Sequence, residues 1–187
     1  LDKTASIATL EQLVPLICIS HFEGHEVVDH MINLSLMRPR NLLKIFIHSR
    51  GFASNFNHDR ISDEDLEKGI AAYSQDLLLE LNRELTDVFP GTENVLYQFL
   101  DAKSELSRKD LSQLIIEAGI SEDDSAKVTD FLLYYGVVGL RTVDKDLYIY
   151  DVDYDSRKLA VRINRAGDTV RFCVNPAFWP ALSIQRT

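Results

Sequence analysis

Cysteine is nearly missing from this chain: Cys18 and Cys173 are the only two among 187 residues, and both sit among apolar neighbours. Two thiols cannot build the disulfide framework of a small secreted domain, so buried free thiols in a cytoplasmic protein are expected. Long apolar runs are missing as well. The longest, around Leu13–Ile19, is too short to span a bilayer and contains Pro15, so neither a signal peptide nor a membrane contact is expected. Positive charge is in deficit, 20 Lys and Arg against 29 Asp and Glu, for a formal net charge of −9. Residues 1–90 hold 8 bases against 14 acids, and residues 91–187 hold 12 against 15. That balance argues against a protein that coats nucleic acid, while leaving room for a local basic patch.

Chemical signatures are missing too. There is no G-x-x-x-x-G-K-[ST] phosphate loop, no G-x-S-x-G, and no sequence context that would activate either thiol. The chain is therefore not expected to act as an enzyme on its own, nor to hold a cofactor by itself. It opens at Leu1 without an initiator methionine and is read as a piece of something longer.

What is present is ordinary globular composition, 45% hydrophobic and 26% charged, enough for one large domain or two small ones. Ile7, Leu10, Leu13, Val14 and Ile17 form a helical stripe, with a break expected near Pro15. Three histidines and three acids follow between His21 and His30. H-E-x-x-H fails, because Asp29 stands four residues after His25, and His30 would lie about 100° from the face that His25 and Asp29 share on a helix. No metal site is expected. The stretch Met37-Arg38-Pro39-Arg40-Asn41-Leu42-Leu43 is the most informative. Proline suits the first turn of a helix, and Leu42, Leu43, Phe46 and Ile47 follow at helical spacing as one buried stripe. Arg38 and Arg40 then straddle a helix N-terminus, an arrangement suited to phosphate.

Ser62 caps the next helix, with Asp63, Glu64 and Asp65 in its first turn. It runs to Phe89-Pro90-Gly91, and Gly69 inside it predicts close packing against another helix. Pro90-Gly91-Thr92 divides a helical domain, 1–90, from a second domain, 91–187. The second opens with helices from Thr92, Ser107 (with Asp110 at N3) and Ser121, the last stopped by Gly136. Val137–Thr142 reads as a strand, and so does the alternation of Tyr148, Tyr150, Val152 and Tyr154. Leu159, Val161 and Ile163, then Val170, Phe172 and Val174, read as a hairpin turning at Ala166-Gly167-Asp168. The expected class is α+β, mainly α: a helical bundle, then a winged-helix-like domain with a C-terminal β-hairpin.

In a winged helix the third helix, Asp123–Tyr135, would read DNA. Three acids beside Lys127 equip it poorly for a major groove. The hairpin is better equipped: Arg157, Lys158, Arg162, Arg165 and Arg171 face Asp168 alone, at the place where a wing meets a phosphate backbone or an acidic partner. A solvated strand face explains the same residues equally well. Asp151, Asp153 and Asp155 imitate a calcium loop, but Ser156 replaces its glycine and Arg162 its glutamate, so strand alternation explains them better.

Pro39-Arg40, a helix through His48, Ala53, Ile61, an acidic helix start and Ala71-Ala72 together resemble the helical lid of AAA+ ATPases. Arg-Pro-Arg-Asn followed by Tyr73-Ser74-Gln75-Asp76-Leu77 and Glu80-Leu81 is similar to a bacterial family of P-loop ATPases, over residues 25–187. That resemblance implies a lid followed by a winged-helix-like domain. Arg40 becomes the sensor-2 residue that reaches the γ-phosphate, and Arg38 its auxiliary; Asn41 stands where an aspartate is expected. It implies ATP and magnesium for the parent protein, none being held by this chain. The implied partners are an upstream P-loop ATPase domain, a second copy of the chain, and nucleic acid or an acidic protein at the hairpin. The alternative is a stand-alone winged-helix regulator with a helical dimerisation domain and no nucleotide dependence.

Overall fold

Side-chain caps fix most helix starts in the computed structural model, which describes residues 10–185. Glu26 caps α2 (Val27–Leu34), its carboxylate accepting from the N–H groups of Val28 and Asp29, both at 3.1 Å. Ser62 and Asp65 form a reciprocal cap at the start of α4 (Asp63–Val88). Ser107 and Asp110 do the same for α5 (Arg108–Glu117), and Ser121 caps α6 (Glu122–Tyr134). Each cap supplies an oxygen to N–H groups that have no partner within the helix. The starts at Ser62, Ser107 and Ser121 are ones the sequence predicts, and the cap by Glu26 is not.

The chain forms two compact units, one ending at Tyr73 and the other beginning at Ser74, both positions lying within α4. In the first, α1 (Leu10–Ile17) contains Pro15, and Ile7 of the expected stripe lies outside the described residues. A two-stranded ribbon, β1 (His21–Phe22) and β2 (His25–Glu26), turns at Glu23 and Gly24, with φ of +49° and +81°. Helices α2, α3 (Pro39–Asn55) and the first half of α4 follow.

The buried face of α3 differs from the expected stripe. Asn41, Ile45, Ser49 and Ala53 point inward, whereas Leu43 and Ile47 are each 59% exposed and Leu42 and Phe46 are half-buried. The cause is Gly69 on α4: a Cβ there would lie 2.6 Å from the backbone N and Cα of Ser49. Helices that approach so closely admit only small side chains between them, which turns the large ones outward. The helix contact expected of Gly69 is therefore present, and it resets the phase of its partner.

The second unit is a four-stranded antiparallel sheet with helices. Its strands are β3 (Glu105–Ser107), β4 (Val138–Arg141), β5 (Asp146–Leu147) and β6 (Arg171–Val174), in the spatial order β3-β6-β4-β5. Helices α5 and α6 connect β3 to β4. The molecule is thus α+β and mainly α.

Three expected features of this unit are corrected. In place of the helix expected from Thr92 there is only a 3₁₀ turn, Leu96–Phe99. Tyr148–Tyr154 is not a strand, since Ile149–Val152 is a 3₁₀ turn that leads into left-handed Asp153 and Tyr154. The C-terminal β-hairpin is absent too, because Ser156–Ala166 is a helix, α7, and β6 pairs with β3 and β4 instead. Leu159 and Ile163 are four residues apart, a spacing compatible with both a two-residue and a 3.6-residue period. Val161 discriminates, since a strand would bury it with them; it is 47% exposed. Asp155 caps α7 by accepting from the Arg157 N–H at 3.2 Å. A short final helix, α8 (Trp179–Leu182), follows β6. Among the described residues no helix is long and apolar enough to cross a membrane.

Candidate functional site

Arg38 and Arg40 stand at the start of α3, as the proline between them requires. Pro39 is the first helical residue, Arg38 the N-cap and Arg40 the second helical residue. The turn before them is strained: Leu36 and Met37 both have φ of +54°. Two consecutive side-chain-bearing residues in the left-handed region cost about 1–2 kcal/mol each. Three contacts hold this turn. The Arg38 N–H donates to the Ser35 carbonyl at 3.1 Å, Asn41 Nδ2 donates to the same oxygen at 3.1 Å, and Tyr73 Oη donates to the Leu34 carbonyl at 2.9 Å. Asn41 thus acts through its amide donor, a role no aspartate could fill.

Alone among α2 to α7, the start of α3 has no side-chain cap; like α7, it carries no acid in its first turn. The Arg38 N–H is spent on the Ser35 carbonyl, Pro39 has none and the Asn41 N–H turns back to the Arg38 carbonyl at 2.9 Å, so the Arg40 N–H and the positive end of the dipole are what this end offers. Arg40 is exposed and Arg38 half-buried, and neither guanidinium is tied to a carboxylate among the described residues. The end of this helix can therefore receive an anion. Sequence reasoning found the two arginines through Pro39; the strained turn beneath them has no sequence signal, because neither of its left-handed residues is Gly or Asn.

The second set of candidate residues divides. Arg157, Lys158, Arg162 and Arg165 line one shallow face of α7, with Val161 between them. Arg157 pairs with Asp155 at 2.9 Å and Lys158 with Asp153 at 3.1 Å. Arg162 donates to the Lys158 carbonyl at 2.9 Å, and it and Arg165 have no carboxylate partner among the described residues. Arg108, from α5, donates to the carbonyls of Ile163 and Gly167 at the C-terminal end of α7. Arg171 does not join this face. It lies on β6, 3.7 Å from Glu105 on β3, in a separate hollow with Lys103, Ser107 and Asp110. Its expected position opposite Arg162 depended on the hairpin.

On α6, Lys127 is bound to Asp124 at 2.8 Å, and Glu122, Asp123 and Asp124 crowd the first turn. The three aspartates of the calcium-like run have separate tasks: Asp151 accepts the Tyr148 N–H at 2.8 Å, Asp153 meets Lys158, and Asp155 caps α7. Turn and cap chemistry, rather than strand alternation, explains that run. Both cysteines are buried, which pushes the Cys18 thiol up to about 11 and the Cys173 thiol up to about 12. Thiols so shifted are poor nucleophiles at neutral pH.

Comparison with known proteins adds one finding, for the first unit and the start of the second. Residues 2–82 match the model of a protein family described as the FunZ-associated C-terminal helical domain, so this part of the chain is similar to the C-terminal part of a larger protein. Searches of curated proteins and of solved structures give no match.

Proposed function

We propose that this chain is the C-terminal accessory region of a P-loop ATPase, with a nucleotide-sensing lid in its first unit and a winged-helix module for partner contact in its second. The observation that carries the reading is the start of α3, uncapped, without an acid, and flanked by Arg38 and Arg40. A terminal phosphate suits that end, because the Arg40 N–H, the helix dipole and the two guanidiniums all favour a compact polyanion. Arg40 is the arm that meets the γ-phosphate; losing that phosphate on hydrolysis removes its partner, so the lid responds to nucleotide state. The similarity of residues 2–82 to a C-terminal helical domain fits an accessory role.

For the second unit, support comes from the order β3-β6-β4 with two helices between β3 and β4, the arrangement of a winged helix. The segment between β4 and β6, where a wing belongs, carries α7 and its basic face. Partner contact through that face is the role we assign it.

The test is Arg40→Ala in the full-length protein. The fold should survive, ATP binding should weaken modestly, and hydrolysis should fall further, toward the ~10³–10⁵-fold that phosphate-stabilising arginines contribute. Arg40→Lys should rescue in part, since a point charge lacks the fork. Arg50→Ala is the control; that side chain donates to the His58 carbonyl at 3.2 Å, beyond the first turns of α3. Loss of hydrolysis with Arg38→Ala but not with Arg40→Ala would transfer the sensing role to Arg38. Normal rates for both, or a full reading frame with no phosphate loop, would leave the stand-alone regulator in its place.

A further inference from the structure

Helices α6 and α7 enclose a cleft of about 490 Å³, lined chiefly by aromatic and aliphatic side chains. Phe131 and Tyr135 stack with centroids 4.2 Å apart, and Tyr134 meets Tyr135 edge-on at 5.5 Å. Ile149, Leu159 and Ile163 complete the apolar wall. The volume lies within the ~300–1,000 Å³ typical of small-molecule pockets, which combine apolar walls with a few placed polar groups.

The charges at this cleft are unequal in what they have left to offer. Lys127 is bound to Asp124 at 2.8 Å, and Arg157 to Asp155 at 2.9 Å. Asp130 has no ion pair or hydrogen bond among the described residues, and burial alone pushes its carboxyl above the ordinary range. An anion entering the cleft would meet two cations already engaged and one carboxylate that repels it. A cation would meet an unengaged carboxylate beside the electron-rich faces of aromatic rings. We infer that the α6–α7 cleft binds a small organic cation with an apolar or aromatic body, its ammonium group on Asp130 and its body against Phe131, Tyr135 and Ile163. This site is independent of the nucleotide reading of α3; Arg157 is shared with the basic face, and the cleft's apolar wall on α7 is Leu159, Ala160 and Ile163.

The probe pair is phenethylamine and 3-phenylpropionate, similar in size and opposite in charge, titrated onto the intact chain by saturation-transfer NMR. Phenethylamine should bind saturably and the carboxylate at least about tenfold more weakly, the factor that one lost charge-assisted contact implies. Asp130→Asn should remove most of that preference at unchanged size. Ala160→Phe, which fills the cleft from α7, should abolish binding of both, and a thermal melt of each variant separates lost binding from lost fold. Lys109→Ala, on α5 and not among the residues that line the cleft, should change nothing. Equal binding of the two probes, undiminished binding by Asp130→Asn, or no saturable binding of phenethylamine would each overturn the inference.

Discussion

At Gly69 the absence of a side chain decides how closely α3 and α4 pack. Gly69→Ala would drive a methyl group against Ser49, with its backbone N and Cα only 2.6 Å away, and overpacking of this kind typically costs about 1–3 kcal/mol. Ser49→Ala should not rescue it, because the backbone contacts remain; a chemical-denaturation series on the single and double variants checks both statements. Asp65, 1% exposed, is a titrating group on which the first unit's stability in acid should depend. Burial pushes its carboxyl up, but the His58 ring at 2.7 Å and the Ser62 hydroxyl and N–H outweigh that and hold it below its ordinary 3.8. With the folded value below the unfolded one, its stabilisation is present above pH 3.8 and is lost as pH falls through the folded value. Asp65→Asn should lower stability at neutral pH and flatten its decline below pH 4 by comparison, as melting temperatures measured across the acid range would reveal.

At the scale of the element, α7 is the sharpest test of how this chain folds. Asp155→Ala should lower the urea midpoint by removing the helix cap, and Asp155→Asn should restore most of it by keeping an acceptor. An exposed strand residue would show neither effect. Helix starts were legible in the sequence because a cap is local chemistry: Ser62, Ser107 and Ser121 each act within four residues of themselves. Pro39 located Arg38 and Arg40 for the same reason. The inner face of α3 was not legible, because Gly69 sets it from another helix. Residues 156–166 misled because Leu159 and Ile163 fit two periods, and only packing excludes one. Arg171 parted from the other bases because β6 takes its register from β3, with Ser107 opposite Arg171. The cleft at Asp130 was hidden until α6 and α7 were brought side by side.

Over the whole molecule, the charge of −9 opposes any polyanion at long range, so the contact we propose through α7 must overcome a repulsive field. Of the four bases on that helix, Arg157 and Lys158 already have carboxylate partners, which leaves Arg162 and Arg165 to neutralise phosphates. Two such contacts set a shallow salt dependence, a slope of about −2 in log K against log salt. Fluorescence anisotropy with a short labelled DNA duplex over a salt series measures it on the intact chain. The double substitution Arg162→Glu and Arg165→Glu should abolish binding and its salt dependence together. Arg171→Glu should leave both nearly unchanged, since that guanidinium faces Glu105 in another hollow. Lys127→Ala should also be silent, its charge already spent on Asp124. A larger loss from Lys127→Ala than from the α7 pair would move the contact to α6 despite its acidic first turn. Should the duplex fail to bind while poly-aspartate binds and loses affinity with the same pair, the partner of α7 is an acidic protein, reached by the same two guanidiniums.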